Sequence, residues 1–118
     1  MKRFLAVYMG SMEGFERKGW NALDPAARKA REAEGMKAWM DWQTANAARI
    51  VDEGGPLGKT KRAASDGITD FRNAMTGYVI LEAESLEAAA RLFENHPHFS
   101  IFPGDAVEIV ECLPMPEM

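Results

Sequence analysis

The chain opens with MKRFLAVYMG, in which Phe4, Ala6 and Tyr8 alternate with Leu5, Val7 and Met9. Both sets are apolar, the pattern of a strand buried between neighbours, and a central first strand is expected. GSMEGFERKG, from Gly10 to Gly19, is polar and glycine-rich and reads as a loop, either a plain connection or a lid. Asp24-Pro25 is a strong helix start, because the carboxylate accepts free first-turn amides and proline suits the first helical position. Ala30, Ala33, Met36 or Lys37, Met40, Ala47 and Ile50 then recur at helical spacing with Trp39 beside them, which predicts one long amphipathic helix from Pro25 to Val51. The glycines and proline of DEGGPLG stop it, and GGPLG at Gly54 to Gly58 reads as a turn, since it lacks the lysine and hydroxyl order of a phosphate loop.

Farther on, two strands are expected at Lys59 to Ala64 and Tyr78 to Ala83, with a turn at Ser65-Asp66-Gly67 and an irregular stretch between them. Ser85 caps a short helix whose Leu86, Ala89, Ala90 and Phe93 share one face, and His96-Pro97 ends it. The last run alternates as in a strand wet on one side, with Val107, Ile109 and Cys112 or Leu113 set against Glu108 and Glu111. The order β, α, β, β, α, β is the split βαβ pattern, so the fold class expected is α+β: a ferredoxin-like, four-stranded antiparallel sheet covered by two helices. A sheet covered on one side leaves its other face apolar and in water, and a second copy of the chain is the expected cover, giving a homodimer.

With 118 residues the chain suits a single domain, 1–118. Its net charge of -4 comes without a basic block, which argues against nucleic acid as a partner. No segment approaches the roughly 18 to 20 apolar residues that span a bilayer, and the N-terminal run lacks the form of a signal, so a soluble, cytoplasmic protein without membrane contact is expected. Cys112 is the one cysteine; it excludes an internal disulfide and a cysteine-based zinc site, and its apolar strand suggests a buried thiol.

Four stretches together resemble the YCII-related family, including its DGPF-type members: MKRFLAVYMG, LDPAARKAREAEGMKAW, SDGITDFRNAMTGYVILEAESLEAAARLFENHP and AVEIVECLP. The resemblance rests most on Asp66-Gly67, followed by Gly77-Tyr78 and the alanine-rich helix from Glu84 to Phe93. It implies a ferredoxin-like subunit in a dimeric α/β barrel, with a cleft between sheet and helices for a small organic molecule. Where DGPF-type members carry Pro and Phe, this chain has Ile68 and Thr69. The His proposed as catalytic in some members lies in the first helix; Pro25 to Val51 contains none, so that His/Asp pair is not carried over.

The only imidazoles are His96 and His98, on either side of Pro97. In an extended segment the two rings would project to one side, either could exchange a proton near neutral pH, and Asp105 is the nearest downstream carboxylate to orient one. The plainer reading is that His96 caps the helix end and His98 satisfies a loop carbonyl. A metal would need further ligands that the chain does not group, so no metal and no cofactor are expected. Tyr8, Trp39 and Arg72 are the expected ligand-binding residues, although Trp39 with Trp42, Met36 and Met40 also suits a core or dimer contact. Lys59, Lys61 and Arg62, joined by Arg72, could hold a carboxylate or simply guard a strand edge. Three classes of function remain: a lyase or isomerase using His general acid/base chemistry without a cofactor, a non-catalytic module that binds or senses a metabolite, and a dimeric interaction protein. The sequence leaves open whether the protein is an enzyme at all.

Overall fold

The computed structural model describes residues 1–116, so the last two residues of the expected domain lie outside the described part. Strand β1, Lys2–Met9, is central as expected, and the lengths on either side differ from the sequence reading in instructive ways. It pairs antiparallel with β5, Met75–Ala83, through Phe4↔Leu81 and Ala6↔Val79, and with β6, Ala106–Cys112, through Ala6↔Ile109 and Tyr8↔Val107. Strand β2, Ile50–Pro56, flanks β5, and the sheet runs β2-β5-β1-β6. With helices on one face, this is the ferredoxin-like α+β arrangement.

The second strand of the sheet is therefore not Lys59 to Ala64. That segment forms β3, Thr60–Ala64, which turns at Ser65-Asp66 into β4, Gly67–Phe71, and the two pair only with each other. The turn stands where the sequence puts it, but its return strand is β4 and not Tyr78 to Ala83. The true second strand hides in IVDEGGP because it is bulged: its register on β5 shifts twice, Gly54 is left-handed at φ 64, and its amide bonds to the Asp52 carboxylate at 2.8 Å. A Cβ at Gly54 would strike the Tyr78 carbonyl, so glycine is what allows the edge strand to approach.

Gly10 to Gly19 is more than a loop. Helix α1, Met12–Arg17, starts where the Ser11 hydroxyl accepts the Gly14 amide at 3.1 Å, and a 3-10 turn follows at Trp20–Ala22, with Trp20 buried. Helix α2, Pro25–Ala45, starts at the expected Asp24 cap, whose carboxylate accepts from the Ala27 amide at 2.7 Å. It ends earlier than the periodicity suggests, because Asn46 closes it by bonding the Trp42 carbonyl through both backbone and side chain. Ala47 and Ile50 kept phase with the stripe without being helical. The stripe itself is not the buried face: Met36 is 55% and Met40 64% exposed, while α2 meets the protein through Gly35, Trp39 and Trp42. A Cβ at Gly35 would overlap the Phe102 ring, which explains why the contact row carries a glycine that hydrophobic patterning skips.

Helix α3, Leu86–Arg91, has the expected Ser85 cap. A left-handed Asn95, φ 57, then turns the chain into α4, Pro97–Ser100, so the stretch after His96 is a helical turn and not an extended segment. The core lies between sheet and helices, with Phe4, Ala6, Leu81, Ala83, Ala89 and Phe93 buried. On the far side of the sheet no helix among the described residues covers Leu5, Val7, Tyr78 or Ile80, which are only half-buried. Val110 and Cys112 share that face and are exposed, so the thiol is not buried in the single chain.

Candidate functional site

Tyr8 ends the buried row of β1, and around its ring the chain gathers Trp39, His96 and His98, with the Phe93 ring edge-on at 6.3 Å. Ring centroids of Trp39, His96 and His98 lie 4.8, 5.2 and 5.2 Å from that of Tyr8. Trp39 arrives from α2, and both histidines arrive from the turn that starts α4. His96 is the N-cap of that turn, and its Nδ1 accepts the His98 amide at 3.0 Å. Pro97 occupies the first helical position, where its missing N–H costs nothing.

The two histidines have different surroundings. His96 is 1% exposed, and burial, with His98 nearby, pushes its pKa down to about 3, so it stays neutral at ordinary pH. His98 is 8% exposed and lines the cleft described below. Its Nε2 donates to the Met9 carbonyl at 2.8 Å, so the neutral ring carries its lone pair on Nδ1. That atom has no hydrogen-bond partner among the described residues and is not one of the fully buried unpaired polar atoms, and the residue that carries it lines the cleft. Burial lowers the His98 pKa and nearby Lys18 adds to this, while the Met9 bond and Asp105 act in the opposite direction.

Asp105 does not orient either ring. Its carboxylate is paired with Arg17 at 2.8 Å, and its amide donates to the Met9 carbonyl at 2.9 Å. That carbonyl thus receives two donors and takes the orienting part that sequence proximity assigns to Asp105. Gly104 closes the turn: its amide bonds to the His98 carbonyl at 2.9 Å, and a Cβ would collide with the imidazole. Lys18 reaches across from α1 to the carbonyls of Phe99 and Gly104 at 2.6 and 2.7 Å, tying down the segment that follows His98, and burial lowers its pKa. Met9 and Lys18 carried no signal in the sequence, since the first acts through its backbone and the second lies in a stretch that reads as a loop.

Beyond Tyr8 and His98 the helices and sheet part to form a cleft of about 1110 Å³ with a mainly apolar lining. Trp39, Met36 and Met40 of α2 form one wall, Met12 and Phe15 of α1 another, and Gly54 to Pro56 of β2 with Gly77 of β5 the sheet side. Arg72, at the base of the β3–β4 hairpin, stands on the rim and is exposed. Lys61 is held by Asp70 within the hairpin, and Lys59, Lys61 and Arg62 lie away from the cleft lining. Of the expected site residues, Tyr8, Trp39, His98 and Arg72 therefore line one cavity, whereas His96 lies behind it and Asp105 beside it. Among the described residues no three His, Cys, Asp or Glu side chains converge as a metal set, and no helix is long and apolar enough to cross a membrane.

The cleft can do two things chemically. Its aromatic and methionine walls suit a flat or aliphatic organic molecule, and its floor offers a neutral imidazole whose tautomer is fixed. No family model matches the chain, and no curated protein matches it. A solved structure does match: 5-chloro-2-hydroxyhydroquinone dehydrochlorinase from Burkholderia phenoliruptrix AC1100, in complex with 2,5-dihydroxybenzoquinone. The TM-score is 0.51, with 20% sequence identity over 92% of this chain and 90% of that one. At that identity the likeness is one of fold, and it agrees with the ferredoxin-like α+β arrangement of this chain.

Proposed function

We propose that this YCII-related chain is a cofactor-free lyase or isomerase for a small, flat, oxygenated ring compound, with His98 as the group that accepts and returns a proton. The observation that carries the reading is the His98 ring itself: Nε2–H is committed to the Met9 carbonyl, Nδ1 has no partner among the described residues, and the residue lines an apolar cleft. A proton on a ring hydroxyl, or on carbon next to a carbonyl, has an acceptor there without any change of tautomer. The lowered pKa keeps the acceptor neutral at pH 7, and nearby Asp105 favours the imidazolium that forms. His96 serves the turn and not the substrate, because its Nδ1 is already bonded. The neighbour's ligand, a dihydroxylated quinone, motivates the choice of ring compounds.

A homodimer belongs to the same proposal. Leu5, Val7, Tyr78, Ile80 and Val110 make an apolar strip on the open sheet face, and a second copy meeting it across a two-fold axis removes the strip from water.

Titration calorimetry with catechol and with 2,5-dihydroxybenzoquinone tests the site. Both should bind, and His98→Ala should weaken catechol about tenfold, the scale of one lost hydrogen bond in an apolar site. Equal affinity for wild type and variant would overturn the role of His98. Binding that depends on His98 without turnover of any ring compound would favour the non-catalytic module.

A further inference from the structure

We infer that Tyr8 is the hydrogen-bond donor of the cleft, aimed by His96, and that Tyr8 and His98 together select a molecule with two neighbouring oxygens, one to accept and one to donate. The inference rests on the proposed ligand-binding role of the cleft and deepens it.

The His98 backbone N–H donates to His96 Nδ1 at 3.0 Å, so that nitrogen is the unprotonated one. Neutral His96 then carries its proton on Nε2, which lies 3.5 Å from the Tyr8 hydroxyl oxygen. Between an N–H and a hydroxyl the oxygen must accept, and the phenol's own proton is left to point elsewhere. Tyr8 lines the cleft, so the direction available to that proton is the cavity. Burial raises the phenol pKa, which keeps the proton on the oxygen at any ordinary pH.

His98 shows the complementary pattern, with Nε2–H bonded to Met9 and Nδ1 free. The floor of the cleft thus presents one donor and one acceptor, on rings whose centroids are 5.2 Å apart. Each is fixed by a backbone group: the His98 amide acts through His96 on Tyr8, and the Met9 carbonyl acts on His98. Neighbouring oxygens on a conjugated ring fit such a pair, one accepting from Tyr8 and the other donating to His98. A ligand with a single apolar edge leaves both groups unpaired and is disfavoured. His96 is a positioning residue in this scheme, since it acts only through Tyr8.

Two measurements decide the matter. Nitrogen NMR of the imidazoles, which needs no ligand, should show both histidines protonated on Nε2 and bare on Nδ1. The opposite pattern at His96 would make Tyr8 the donor to His96 and overturn the inference, whatever the fate of the proposed function. Calorimetry then compares catechol with veratrole, its dimethyl ether, which can only accept. Tyr8→Phe should weaken both by about tenfold, whereas His98→Ala should weaken catechol and leave veratrole within about twofold. Catechol binding that depends on His98 but is unchanged in Tyr8→Phe would refute the donor while leaving the His98 reading intact. Absence of catechol binding to the wild type would refute both the ligand class and the proposed function.

Discussion

The buried face of β1 ends in two different environments. At its start Phe4 belongs to a close apolar core with Leu81, Ala83 and the α3 residue Ala89. Four residues later, on the same face of the same strand, Tyr8 is also buried, yet beside the Phe93 ring it meets an indole, two imidazoles and a cavity. The strand and its alternation are common to both ends; what differs is the cover. At the packed end α3 lies on the sheet, whereas at the cleft end α2 touches through Gly35, Trp39 and Trp42 and the short α4 turn supplies the histidines. Burial by itself therefore does not separate core from site in this protein. The separation lies in whether the buried neighbours have polar atoms whose bonds are set from the backbone.

The largest effect that would sharpen this contrast comes from the packed end. Phe4→Ala should cost about 3–5 kcal/mol, because the surrounding core cannot collapse into the hole; urea unfolding that shows under about 1 kcal/mol would mean the two ends are packed alike. Acid should act at the other end. His96 is neutral when folded, with its pKa depressed to about 3, so below the unfolded value of about 6.5 the unfolded chain takes up a proton that the folded one refuses. Its contribution is fully present above pH 6.5 and is lost as pH falls toward 3, amounting to about 2 kcal/mol between pH 6.5 and 5. Denaturant midpoints that stay flat over that window would contradict the buried, neutral ring. A smaller effect, about 1–3 kcal/mol, is expected for Gly104→Ala, whose methyl would displace the His98 ring. Catechol binding should fall with it, and wild-type binding in that variant would show that the ring's place does not matter.

Legibility followed the same division. Elements announced by local chemistry were readable: the Asp24 and Ser85 caps, the Asp66-Gly67 turn, and the alternation of β1 and YVILEA. Elements shaped by tertiary contact were not. β2 carries glycines that resemble a turn because its backbone must pass close to Tyr78, and α2 turns a glycine and two tryptophans inward while its methionines face the cleft and solvent. For the site, residue type pointed to the histidines, Tyr8 and Trp39, and position at a helix end gave His96 a backbone role distinct from that of His98; the geometry behind that division was hidden. That division depends on a helical turn at Pro97, which the preference of the preceding residue for extended backbone conceals: His96 itself is extended, φ -57 and ψ 140, and the helix starts immediately after it.

The β3–β4 hairpin gives the molecule a modularity that its small size would not suggest. Its strands bond only to each other, nearly all its side chains are exposed, and its base delivers Arg72 to the rim of the cleft. Lengthening, trimming or recharging this arm changes what meets an incoming molecule without altering the register that sets Tyr8 against Gly77. Under the function proposed above, admission and proton handling are thus encoded in separable pieces of chain, and a designer could regraft the arm while leaving the floor of the cleft as it stands.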